Sequence, residues 1–437
     1  MRILNSPAAV SSPEKLATSL PLTSLYADSL GRPARRKRSQ KTCKSKSKTT
    51  SFEESGVAEQ PSLVVPQNVL FFNYFHKMKN AFLKVLPCVL FLSTLCVGCE
   101  QNEEDDLGEK SEVTTSQVLI LNEGAYQANN AGITVYDPDK KEVTVEELYA
   151  AVNGRQMGDT GQDILVDGDD VFVSVYGSSY VARLNMQGEQ QASHNFTEVE
   201  GQPRYMAADK THLYVSLYSG NVAVLDRSTM AVTALIPVGA NPEGMAMIGD
   251  RLYVANSGWG YDQTISVIDL TKGENIQTIT CATNPQQFVV VNGELFLFAY
   301  GPYDENLNCP YPVQKVDAAN GTVTDITNAS RGTMMGFDKL LLLSTTTDWK
   351  TNTTVNTFFT YDVTMDKLST AVPFIDAPEE LFSTSIYMME CNPRTGEVYI
   401  GVSDFVSPGT VFRFSATGYL IDTFQAGINP SQAAFFK

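Results

Sequence analysis

The sequence predicts an all-β chain, a seven-bladed β-propeller closed by the C-terminal strand joining blade 1. Three observations predict it. A three-part unit recurs seven times, its copies are spaced as four-stranded blades are, and the chain ends on a segment resembling the one part that the first copy lacks.

Each unit opens with a short apolar run rich in β-branched and aromatic residues, at 118–121, 171–176, 213–218, 252–256, 295–300, 340–344 and 398–403. An alternating run follows and stops at Asp137, Asn185, Asp226, Asp269, Asp317, Asp362 and Ser415, which are 48, 41, 43, 48, 45 and 53 residues apart. A polar turn then leads into the next inner strand: Gly161-Gln162, Gly201-Gln202-Pro203, Asn241-Pro242-Glu243, Asn284-Pro285-Gln286 and Asn429-Pro430-Ser431. Two copies of this turn are degenerate, near Arg331-Gly332 and Ser383-Thr384.

An aspartate at a strand end accepts the backbone N–H two residues on and closes the turn to the outermost strand, so these aspartates read as structural rather than catalytic. Closure follows from the ends of the array. Ala433-Ala434-Phe435-Phe436 resembles the inner strand after each polar turn, such as Tyr205-Met206-Ala207, and the copy starting at Val118 has none before it. The C-terminal segment should therefore supply the inner strand of blade 1 and remove the free edge.

Residues 1–77 do not belong to this design. They carry twelve Lys/Arg against five Asp/Glu, a net of +7 in a chain whose total is −17. A basic arm for nucleic acid is one reading. The favoured one is a disordered or untranslated extension, with translation starting at Met78, because a signal-peptide pattern follows at 78–98. Its basic start is Met78-Lys79-Asn80 and its apolar core, 85–97, is too short for the roughly 20 residues that span a bilayer. Leu95-Cys96-Val97-Gly98-Cys99 resembles a bacterial lipobox, departing from the common pattern at Cys96 and Val97. The resemblance implies Cys99 as the lipidated residue and a lipid anchor in the membrane. Glu100-Gln101-Asn102-Glu103-Glu104-Asp105-Asp106 behind it looks like the acidic surface-export tag of Bacteroidota lipoproteins, which gives a linker at 99–116 and a propeller at 117–437.

Removing 1–98 takes away the +7 and the signal lysines Lys79 and Lys84, so the mature net charge is −17 − 9 = −26. Such a surface repels phosphate backbones, and no nucleic-acid partner is expected. The remaining cysteines, Cys99, Cys281, Cys309 and Cys391, form no CxxC, and His194 and His212 fall in predicted strands, so neither set reads as a metal centre.

In a propeller, the loop after each apolar run and the turn between blades emerge on one face, around the mouth of the central channel. The loops place Asn122, Glu123, Tyr126, Tyr176, Tyr180, Tyr218, Asn256, Trp259, Tyr261, Tyr300, Tyr303, Asp348, Trp349, Asp404 and Phe405 there. The turns add Gln162, Arg204, Glu243, Gln286, Arg331 and Gln432. Rings with amides and carboxylates beside them suit a large, flat, partly polar small-molecule ligand. The competing class is a propeller hydrolase or lactonase, with Glu123, Glu243 and Asn256 recruited as ligands of a metal in the channel. No triad, aspartate box, GxGxxG or phosphate loop supports chemistry, the run Asp167-Gly168-Asp169-Asp170 reads as a hairpin turn, and no cofactor is expected.

LYVAN at 252–256 with TISVIDLTKG at 264–273 and ATNPQQ closely resembles the YncE-like YVTN propeller repeat, and LYVSLYSGNVAVLDRSTM repeats the match one blade earlier. VLILNEGAYQANNAGITVYDP at 118–138 looks like the opening of the Bacteroidota lipoprotein domain DUF5074. One branch similar in architecture, the BtuG-like surface lipoproteins, captures cobalamin and hands it to a TonB-dependent outer-membrane transporter. The resemblance implies a nonenzymatic, surface-exposed outer-membrane lipoprotein with a corrinoid-like ligand and such a transporter as partners.

Overall fold

The computed structural model describes residues 116–436, apart from 302–310, 330–333, 338, 349–350, 352 and 372. The basic extension, the signal segment, Cys99, the acidic stretch, Tyr303, Arg331 and Trp349 therefore lie outside the described residues, and nothing is said of the Asp348 side chain.

The described residues fold into seven four-stranded antiparallel sheets. In blade 2 the strands are Gly161–Asp167, Asp170–Val175, Tyr180–Asn185 and Gln190–Asn195, laid side by side in sequence order. The inner strands of blades 3 to 7 are Pro203–Ala208, Pro242–Ile248, Pro285–Val291, Met334–Gly336 and Ser385–Cys391. Blade 1 takes its inner strand from the other end of the chain. Pro430–Phe435 pairs antiparallel with Val118–Asn122, setting Val118 opposite Phe435 and Leu121 opposite Gln432. Successive inner strands touch around the whole circle, with Pro430–Phe435 meeting both Ser385–Cys391 and Gly161–Asp167, so no blade presents an open face.

The apolar runs are continuous because each blade is covered on both faces by its neighbours. Val118–Asn122 is buried at every position, and the corresponding strands Arg251–Asn256, Glu294–Ala299 and Val398–Ser403 are buried at all but the first. Seven apolar clusters result, one for each blade interface. Phe172 and Val181 of blade 2 meet Leu213 and Val215 of blade 3, and Tyr399 and Val411 of blade 7 meet Val118 and Ile120 of blade 1. Outer strands face solvent and alternate, as in Glu142–Val145 and Gln190–Asn195.

The strand-end aspartates close their turns by side chain. Asp137 Oδ1 accepts from the N–H groups of Asp139 and Lys140, Asp226 Oδ1 from Ser228 and Thr229, Asp269 Oδ1 from Thr271 and Lys272, and Asp317 Oδ1 from Ala319 and Asn320. Hydrogen bonds from the Ser228 and Thr229 hydroxyls hold the Asp226 carboxyl down at about 2. The turn at 167–170 is closed from blade 3, where Arg227 Nη2 donates to Asp167 O at 2.6 Å and Nε to Asp170 Oδ2 at 3.1 Å. After blade 1 the short helix Leu148–Asn153 interrupts the pattern; Glu147 caps it by accepting the Ala150 N–H at 2.6 Å, and Gly154 ends it with φ 67°.

Candidate functional site

The pairing explains why loops and interblade turns share one end of the ring. In six blades the end of the second strand lies opposite the start of the inner strand: Val175 with Gly161, Leu217 with Pro203, Asn256 with Pro242, Ala299 with Pro285, Ser403 with Ser385 and Asn122 with Pro430. A register shift follows at once on six inner strands, between Gly161 and Asp163, Pro203 and Met206, Pro242 and Met245, Pro285 and Gln287, Ile386 and Met388, and Pro430 and Gln432. Such a bulge gives one strand an extra residue and re-aims its side chains. Gln286 and Gln287, adjacent in sequence, accordingly both line the central channel.

Arg204 organises the mouth. Its Nε and Nη2 each lie 2.8 Å from Glu243 Oε2, Nη1 donates to Gln162 Oε1, and its guanidinium stands 5.2, 5.6 and 4.8 Å from the ring centres of Tyr176, Tyr205 and Tyr218. Burial opposes this charge, but Glu243 and the tyrosines outweigh it and hold the guanidinium charged far above ordinary pH. Glu243 is 3% exposed and also accepts from Tyr218 Oη at 2.6 Å, with Ser257 Oγ 3.3 Å away.

Across the ring Tyr387 donates its hydroxyl to Glu123. Burial raises the Glu123 carboxyl above its usual range, against the opposing pull of Tyr387 and Arg204. Rings reach solvent outside these groups. Tyr126, Trp259, Tyr261 and Phe405 are exposed; Trp259 meets the Tyr218 ring edge-on at 6.4 Å and Phe405 meets Tyr387 at 5.8 Å. Tyr300 is half-buried, 5.7 Å from the Phe298 ring centre.

Below the rings lies a channel cavity of about 290 Å³, to which the inner strands of all seven blades contribute, among them Asp163, Tyr205, Met245, Gln287, Met335, Glu390 and Gln432. Asp163 is 6% exposed and accepts the Met206 N–H at 2.6 Å; burial pushes its carboxyl up to about 6 against hydrogen bonds from Gln432 and the backbone. Burial, then the charge of Asp163, pushes Glu390 up to about 8. Gln432 Oε1 accepts the Ile164 N–H at 2.7 Å, tying blade 1 to blade 2, and Gln286 Nε2 donates to Asn284 Oδ1.

Three residues expected at the mouth are inside the walls. Asn256 is fully buried: its Oδ1 accepts the Gly239 N–H at 3.1 Å, and its Nδ2 donates to Thr264 Oγ1 and Ser266 Oγ, both at 3.0 Å. Asn122 repeats this latch, accepting the Gly427 N–H at 2.8 Å and donating to Thr134 Oγ1 at 3.0 Å. Both partners are glycines because a Cβ on Gly239 or Gly427 would lie 2.4 or 2.6 Å from the asparagine side chain. Tyr180, 7% exposed, packs in the core between blades 1 and 2 and donates its hydroxyl to Met157 O at 2.5 Å. A polar residue at a strand end satisfies either solvent or the adjoining backbone, and here the neighbouring blade's N–H supplies the partner.

Tyr205, Tyr387 and Asp163 belong to the site but were not anticipated. The register shift that turns them inward leaves no mark in the alternation, although the polar turn just before each inner strand locates where it occurs. Among the described residues no group of three or more His, Cys, Asp or Glu is placed to hold a metal ion. Glu123, Glu243 and Asn256, the candidates for one, are engaged respectively by Tyr387, by Arg204 and Tyr218, and by Gly239 and Ser266.

Hydrazine synthase of Kuenenia stuttgartiensis is similar in fold, with a TM-score of 0.53 at 18% identity over 63% of this chain and 89% of that one. The β-propeller domain of Cps50 (Swd1) from Myceliophteria thermophila aligns with a TM-score of 0.47 at 11% identity, over 65% of this chain and 92% of its own. No curated protein matches the sequence. The family model described as "Domain of unknown function (DUF5074)" matches residues 117–407, from the first strand of blade 1 into blade 7, and the chain belongs to that family.

Proposed function

We propose that the protein captures a small molecule at this mouth and passes it on unchanged. The observation that carries the reading is the arrangement of solvent-facing rings on loops fixed to a closed ring, above a cavity of only about 290 Å³. Pockets that enclose drug-sized ligands run from about 300 to 1,000 Å³, so a larger ligand would lie across the rings rather than inside the channel. Loops preorganised by seven packed blades need little further ordering, which leaves more of the contact free energy as affinity.

A corrinoid is the leading ligand, on the lipobox-like segment, the acidic stretch and the repeat resemblance together with a mouth of suitable chemistry. The same features favour a lipid-anchored, surface-exposed protein that delivers to a TonB-dependent transporter. Metal-dependent hydrolysis is the weaker reading, because the carboxylates and amide it would recruit are already engaged by Tyr387, Arg204 and the Gly239 N–H. Calorimetric titration with cyanocobalamin, haem and common glycans tests the assignment. Saturable binding of cyanocobalamin supports it; turnover of a lactone or ester panel without binding of any of these would replace it with the enzyme.

A further inference from the structure

Two loops of the mouth share a construction that the repeat does not require. In blade 4, Ser257 Oγ accepts the Trp259 N–H at 3.3 Å and donates to Asn241 O at 2.8 Å. In blade 7, Ser403 Oγ accepts the Phe405 N–H at 2.8 Å and donates to Asn429 Oδ1 at 2.6 Å. Each serine thus ties the aromatic residue two positions on to the asparagine of the interblade turn. Each aromatic ring meets a tyrosine, Tyr218 or Tyr387, whose hydroxyl is donated to a buried or half-buried glutamate, Glu243 or Glu123.

The backbone at both tips is left-handed, with φ 55° at Trp259 and φ 69° at Phe405. Bulky side chains avoid this region, because Cβ crowds the following carbonyl. Among the described residues, these are the only Trp, Tyr or Phe found there, and both remain substantially open, at 43% and 44% exposure. The repeat does not require a strained backbone that presents a half-open ring, and strain of this kind gathers at ligand clamps. The two blades stand three steps apart one way round the ring and four the other, so the two tips lie on nearly opposite sides of the mouth.

We propose that Trp259 and Phe405 are the two arms of an aromatic clamp that grips a flat, uncharged ligand from opposite sides of the mouth. The proposal rests on the capture function above and names the ligand class and its two principal contacts. The described mouth and channel offer an anion no unpaired cation: their one cation, Arg204, is already engaged by Glu243, and the groups beside it are the carboxyls of Glu123, Asp163 and Glu390.

Asparagine adopts the left-handed conformation readily, so Trp259→Asn and Phe405→Asn remove each ring while relieving the backbone. The purified protein and both variants are titrated with cyanocobalamin and with riboflavin, and their thermal unfolding is recorded. The clamp predicts at least tenfold weaker binding for each variant, at least a hundredfold for the pair, and unfolding midpoints no lower than the parent's. Riboflavin binding with this pattern but no cyanocobalamin binding keeps the clamp and removes the corrinoid. Cyanocobalamin binding indifferent to both substitutions keeps the corrinoid and overturns the clamp. Failure of both probes to bind, or affinity lost only together with thermal stability, overturns it too.

Discussion

Glu243→Gln isolates the interaction on which the mouth is built. The substitution nearly preserves shape but removes the charge opposite Arg204, whose side chain is 16% exposed, while the Glu243 side chain is 4% exposed. Removing one member of a buried pair costs about 3–5 kcal/mol, most of it from the stranded charge. The guanidinium keeps Gln162 and three tyrosine rings, so the lower end applies, about 3 kcal/mol. Arg204→Met strands Glu243 in turn, though Tyr218 still donates to it, and about 2 kcal/mol is expected. The double variant leaves no stranded charge and should cost about 2 kcal/mol less than the sum of the two singles. Urea unfolding of all four proteins at pH 7, with stabilities extrapolated linearly to water, measures this coupling. Single-variant losses that add to within about 0.5 kcal/mol would show that the two side chains act independently, and the account of the mouth as a charge-centred cluster would be wrong.

Three further outcomes follow from other parts of the ring. Deleting residues 430–437 removes the inner strand of blade 1 and uncovers Val118–Asn122; loss of cooperative unfolding by circular dichroism is expected, and a merely lowered midpoint would contradict closure by that strand. Asn256→Ala takes the nearer acceptor from the Gly239 N–H and the amide donor from two hydroxyls and should cost about 2 kcal/mol in urea unfolding with cyanocobalamin affinity unchanged; affinity loss without destabilisation would return Asn256 to the mouth. Asp163 binds its proton more tightly folded, at about 6, than unfolded, so its contribution is present at low pH and lost as pH rises through 6. Between pH 5 and 8 this amounts to about one unit, roughly 1.4 kcal/mol, and Glu390, raised to about 8, acts in the same direction. Asp163→Asn should flatten that slope in pH-dependent unfolding; an unchanged slope would mean that the carboxyl is ionised in the channel.

Much of the mouth was legible because loop position follows from the repeat. Tyr126, Trp259, Tyr261 and Phe405 are exposed on loops that the apolar runs locate, and Arg204 and Glu243 lie where the polar turns place them. Illegible were the neighbours that the register shift turns inward. Strict alternation assigns adjacent residues to opposite faces, whereas Gln286 and Gln287 share the channel. Tyr387 was harder still, since its copy of the unit has Ser383-Thr384 where three others have Asn-Pro and two have Gly-Gln, and nothing marks where its inner strand begins.

The sequence by itself determined the blades, their common end and their closure, because these depend on local chemistry repeated many times: apolar runs long enough to be covered on both faces, aspartates that close turns, and a terminal strand that matches a missing one. Only the tertiary structure decided what each polar side chain at that end does. Asn256 and Glu243 are both polar residues beside interblade turns, yet Asn256 is a latch within the wall and Glu243 is the counter-charge of the mouth. The difference lies in which donor the adjacent blade brings within 3 Å or so, a backbone N–H in one case and a guanidinium in the other. That choice is made between residues separated along the chain, and no local pattern encodes it.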